Sequence, residues 1–186
     1  MDFLRNNSFV RYVIRFLLTY AFCYYASVAM IGITAPGGYY NAFIDHYLNF
    51  IDWLRTSLLY GTKLLLKAGG IDTYFAGEFV LRKMNGRGIK LVYGCLGYGV
   101  MSFWIAFVTA SAKSWKNKIK WLAGGLFIIW FINITRMAML LVATNNNWKL
   151  PLGWDHHTWF NVMAYIAILL MMYFFARKRK HVPAKQ

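Results

Sequence analysis

Acidic side chains are scarce in this sequence: six Asp and Glu stand against 21 Lys and Arg, for a net charge of +15. The aspartates, Asp2, Asp45, Asp52, Asp72 and Asp155, all fall outside the long apolar runs. No pair of intramembrane carboxylates is therefore available for acid–base hydrolysis. Cysteine occurs only twice, which makes no disulfide framework. Cys23 lies mid-way along one apolar run and Cys95 opens another. A bridge between such different depths would break the Cα limit of about 7 Å. Cys23, between Phe22 and Tyr24, reads as a small buried hydrophobe. The chain also has no G-x-S-x-G, no HExxH and no CxxC motif, and no repeat or low-complexity segment. The usual marks of serine hydrolases, zinc proteases and thiol redox proteins are thus missing.

What the sequence does have is apolar surface. Of its 186 residues 59% are hydrophobic and 19% aromatic, and the mean hydropathy is +0.40. A soluble domain of this length does not carry so much, so the composition points to an integral membrane protein. The basic residues crowd at the ends of the apolar runs: Arg5, Arg11 and Arg15; Lys113, Lys116, Lys118 and Lys120; Arg177, Lys178, Arg179 and Lys180. That placement orients a chain in a bilayer and argues against a nucleic-acid partner; the partner expected is membrane lipid.

The expected fold is an all-α polytopic membrane protein with about four transmembrane helices, at residues 10–34, 95–112, 121–143 and 158–176. The first run is too long and too aromatic for a signal peptide, and Pro36-Gly37-Gly38 ends it. In residues 41–67, Ile44, Tyr47, Leu48, Ile51, Leu54, Leu58 and Leu65 recur at helical spacing, with Asp45, Asn49, Asp52, Thr56, Lys63 and Lys67 largely opposite. This is an amphipathic helix, interfacial or packed on the wet side of the bundle. Residues 77–93 predict a small outer hairpin around Asn85-Gly86, with a type I′ turn. Such a hairpin would fix the height of Cys95 and offer an edge to an extended peptide; a short basic loop at the headgroups is the plainer alternative. With the basic loop 113–120 and the tail 177–186 cytoplasmic, both termini lie inside.

In that topology Cys95, Arg136 and the pair His156–His157 reach one extracytoplasmic level from three different helices. Arg136 carries the most information, since an arginine in hydrocarbon costs about 2.5–3.5 kcal/mol on insertion scales and calls for a polar cavity. Asn133 shares its helix face, three residues before it. Arg136 snorkelling to the headgroups, or tying helices together through carbonyls, remains open. The histidines beside Asp155 have no metal-ligand spacing; near a thiol, a neutral imidazole serves better as proton acceptor. Gly94, Gly97 and Gly99 leave the backbone around Cys95 bare, for approach of a peptide carbonyl or for close helix packing.

With these residues in hand, the chain resembles the exosortase/archaeosortase family of membrane cysteine transpeptidases, closest to the short members of Bacteroidetes-type bacteria. The likeness covers about residues 90–175: GCLGYG opening a helix, NITRMAMLL in the next and DHHTWFN entering the last. Leu96 departs from the pattern, since many relatives have a small polar residue after the cysteine. The resemblance implies a Cys–Arg–His site on the outer face of the bacterial inner membrane. There it would cleave a C-terminal sorting signal on a secreted protein and pass the acyl group to an acceptor. Cys95 would be the nucleophile, Arg136 its electrostatic partner, and His157 the base, with His156 as the alternative. His157, Asn161 and Tyr165 follow the family's four-residue spacing. No cofactor is implied. The basic segment 82–90 would suit an anionic glycolipid or sugar acceptor, or an acidic peptide. The competing class is a non-enzymatic membrane subunit or small transporter, with Arg136 in a polar pathway and Cys95 only packing.

Overall fold

The computed structural model describes residues 8–35, 37, 39–148 and 156–177, with the backbone alone for 156–160. Residues 1–7, 36, 38, 149–155 and 178–186 lie outside the described residues.

The chain is mostly helical. The first helix, α1 (Ser8–Thr34), is followed by two shorter ones, α2 (Ala42–Leu48) and α3 (Phe50–Ala68). Three short strands come next: β1 (Thr73–Phe75), β2 (Val80–Lys83) and β3 (Gly88–Lys90). A 3₁₀ turn, Tyr93–Cys95, leads into α4 (Tyr98–Ala110), α5 (Trp115–Asn146) and α6 (His156–Ala176). Two helices, α1 and α5, are long and apolar enough to cross a membrane. The apolar helices α4 and 161–176 are shorter.

Several expectations are corrected here. The span expected at 95–112 is a 13-residue helix, about 20 Å long at 1.5 Å per residue. Cys95 precedes it, because Gly97 takes a left-handed φ of +75° that ends the 3₁₀ turn and N-caps α4. The span at 121–143 is the inner part of a 32-residue helix that absorbs most of the basic loop. The helix expected at 41–67 is broken at Asn49: its side chain accepts from Asp52 N–H and caps α3. The hairpin gains a third strand, in antiparallel order β1-β2-β3. Its turn is not type I′, since Asn85 has φ +54° while Gly86 stays outside the positive-φ region.

The core has two parts. Near Cys95, Ile51, Leu58 and Leu66 of α3, Leu81 and Ile89 of the sheet, and Ile134, Met137 and Leu141 of α5 bury together with Leu91 and Leu96. Gly61 makes this possible, because a Cβ there would run into Ile134. At the other end Trp104 of α4, Ile129 of α5 and Ile168, Met171 and Phe175 of α6 form a second cluster. Gly125 leaves room for the Trp104 indole, whose N–H donates to Trp121 O at 3.0 Å. The basic stretch caps this end: Lys118 Nζ donates to Thr109 O at 2.7 Å, and Lys113 Nζ donates to Phe175 O. Cations at helix C-termini oppose the helix dipole.

Candidate functional site

The site forms where the 3₁₀ turn meets the C-terminal half of α5. The turn is closed by Cys95 N–H donating to Val92 O at 2.9 Å, and Cys95 is buried. Arg136, half-buried on α5, places its Nη2 at 3.7 Å from Cys95 Sγ, within hydrogen-bond reach of sulfur. The two residues are 41 positions apart in the chain. One helical turn earlier on α5, Asn133 is buried and donates from Nδ2 to Leu96 O at 3.1 Å. A Cβ on Gly97 would collide with that amide, so glycine at 97 serves both the left-handed backbone and the Asn133 bond. Gly94 has open space where a side chain would stand.

A cavity of about 280 Å³ opens beside this turn. Gly94, Gly97, Asn133 and Arg136 form its polar wall, and Asn161 and Tyr165 of α6 close another side. Tyr24 of α1 and Tyr98 of α4 line it too, with ring centroids 5.7 Å apart. Cys95 itself is not among the residues lining this cavity. An apolar groove of about 520 Å³, lined by Tyr20, Phe103, Leu169 and Met172, shares Gly99, Val100, Tyr165 and Ile168 with the polar cavity.

Of the residues expected at the site, Cys95, Arg136, Asn133, Gly94 and Gly97 come together. His156 and His157 begin α6, with His157 one turn before Asn161; their side chains lie outside the described residues. Two arginines of the basic segment bond to the hairpin turn and to the end of α5. Arg87 Nη1 donates to Thr144 O and Asn147 Oδ1 at the end of α5, and Arg82 Nε donates to Gly86 O. Cys23 and Cys95 are both free.

Sequence reasoning missed three contributors. Tyr24 sits on a helix read only as a transmembrane span, and nothing local marks it. Asn145 was passed over as loop, although its amide grips the hairpin turn: Arg87 N–H donates to Oδ1 at 2.8 Å, and Nδ2 donates to Arg87 O at 3.2 Å. Arg55 is buried on the apolar face of α3, in register with Ile51, Leu58, Thr62 and Leu66. A single arginine on that stripe was the available signal.

No protein-family model, curated protein or solved structure matches the chain.

Proposed function

We propose that the chain is an exosortase-like cysteine protease or transpeptidase of a bacterial inner membrane, with its site toward the extracytoplasmic side. The observation that carries this reading is the guanidinium of Arg136 at 3.7 Å from Cys95 Sγ, beside a polar cavity between helices. An arginine within an apolar helix calls for a polar cavity, and Arg136 lines one. The four-span topology is part of the proposal, made of α1, α4 with its entry turn, α5 and α6. Supporting it, α1 buries Ser27 and Thr34, whose hydroxyls donate to the carbonyls of Cys23 and Met30 four residues earlier, while Phe22 is 76% exposed. Polar side in and aromatic side out suits lipid, not water. The shortness of α4 leaves the Cys95 turn sunk below the outer surface, at the depth of Arg136.

The chemistry follows from the residues in these roles. A histidine at 157 or 156 takes the proton of the Cys95 thiol, and the sulfur attacks the carbonyl carbon of the scissile peptide bond. Arg136 holds the oxyanion that develops, a contribution of about 10²–10³ in rate for such a donor. The C–N bond then breaks, and the histidine returns the proton to the departing amine. What remains is a thioester, which an amine, a hydroxyl or water opens to regenerate the thiol. The substrate is the C-terminal sorting signal of a secreted protein; its apolar stretch has lipid-facing helices to lie against.

Replacing Cys95 by Ser tests this. Mass spectrometry of envelope proteins from cells carrying only the Cys95→Ser chain is expected to find C-terminal signals uncut, with the chain inserted at normal levels. Cut signals in that strain would move the protein to the competing class, a membrane subunit with Arg136 in a polar pathway.

A further inference from the structure

Arg55 is the one described arginine that is buried, at 6% exposure, and it belongs to a helix that the proposed chemistry does not use. Its guanidinium lies over two aromatic rings: Cζ is 3.4 Å from the Phe79 ring centroid and 4.5 Å from that of Tyr93. Edge-on, it forks onto one acceptor. Nη2 donates to Leu91 O at 2.7 Å and Nε at 3.2 Å. The Leu91 N–H in turn donates to Phe79 O at 2.8 Å, so both backbone groups of Leu91 are bonded. Phe79 has a φ of +59°, rare for an aromatic residue, and it keeps that conformation with its ring against Arg55. Burial pulls the guanidinium below its ordinary pKa, with Tyr93, Asp52 and Glu78 opposing that effect.

Leu91 is four residues before Cys95. On the far side of the turn, Asn133 donates to Leu96 O, one residue after it. The cysteine is therefore bracketed by two side-chain-to-carbonyl clamps, one from α3 and one from α5. Remove the α3 clamp, and Leu91 keeps the hydrogen bond that its N–H makes to Phe79 O.

We infer that Arg55 is a positioning residue that fixes the height of the Cys95 turn opposite Arg136, acting through the Leu91 carbonyl and the Phe79 and Tyr93 rings. The inference rests on the Cys95–Arg136 reading above. A lysine cannot replace it, because an ammonium has neither the fork nor the planar faces. Arg55 never touches substrate; what it controls is whether sulfur and guanidinium meet, and a misplacement of about 1 Å can cost about 10²-fold in such a site.

The experiment is a double-mutant cycle read on the thiol itself, so no peptide substrate is needed. The full chain in detergent is treated with iodoacetamide, and alkylation of Cys95 is measured by mass spectrometry relative to Cys23. In the wild type, Arg136→Gln is expected to slow Cys95 alkylation about tenfold. In an Arg55→Lys background the same change is expected to shift it less than about twofold, because the pair no longer meets. A purely structural role would lower the melting temperature yet leave the effect of Arg136→Gln intact, and that result overturns the inference. If Arg55→Lys fails to fold, Phe79→Leu, which removes one of the two rings and keeps both hydrogen bonds, is expected to shrink the Arg136 effect partway. An undiminished effect there also overturns it. If Arg136→Gln changes nothing in the wild-type chain, the Cys–Arg pairing falls first and takes this inference with it.

Discussion

Glycines 94 and 97 flank the same cysteine, yet the structure gives them opposite tolerances. Gly97 has a φ of +75°, and a Cβ there would meet the Asn133 amide. The left-handed backbone alone costs an L-residue about 1–2 kcal/mol. Displacing Asn133 would add the loss of its bond to Leu96 O, about 1 kcal/mol. Gly97→Ala is therefore expected to lower the melting temperature of the purified chain clearly, and to weaken the link between Cys95 and Arg136. Gly94 has an unstrained φ and nothing within 4 Å of a Cβ position. Gly94→Ala is expected to melt within experimental error of the wild type, and any loss of activity there would reflect approach to the cavity it lines. Cys95, Arg136 and Asn133 could be singled out because polar groups are rare in apolar runs, and the structure brings them together. Arg55 was not singled out, because the amphipathic pattern of residues 41–67 absorbs a charged residue without comment. Only the packing of α3 shows that this charge points inward.

At the scale of elements, the apolar runs located the helices and misjudged their ends. Hydrophobic periodicity has no term for Asn49, which bonds to Asp45 through its amide and caps the following helix, so one predicted helix became two. The strand Thr73–Phe75 escaped because three residues are too short a window for alternation, and its pairing with β2 is what makes it a strand. Cys95 was expected to open a helix; the positive φ of Gly97, which no residue-type pattern announces, put it in the preceding turn. The hairpin is tied to the end of α5 through Asn145, and α5 carries Arg136. Asn145→Ala removes both bonds to the Arg87 backbone, at about 1–2 kcal/mol of local stability. Hydrogen exchange is expected to show lost protection at residues 83–88, with the protection of α3 unchanged. Equal loss across α3 would mean that α3 and the sheet unfold as a unit.

For the whole molecule, what was readable from composition was the coarse class, a mostly helical chain with spans long enough for a bilayer. The convergence of α3, the sheet and α5 on one turn was not readable, since it depends on contacts between residues 36 to 58 positions apart. The two ends of the molecule differ in kind. One end is closed by lysines on helix carbonyls, and the other holds a thiol, a guanidinium and an open cavity. Labelling of Cys95 in intact right-side-out and inverted vesicles addresses that arrangement most directly. A membrane-impermeant thiol reagent would be applied across pH 5 to 9 to the wild type, Arg136→Gln and His157→Ala. The outcome predicted is labelling from the outer face only, faster at neutral pH in the wild type than in either variant. Labelling from the inner face, or a thiol indifferent to both substitutions, would contradict the reading of Cys95 as an activated extracytoplasmic nucleophile.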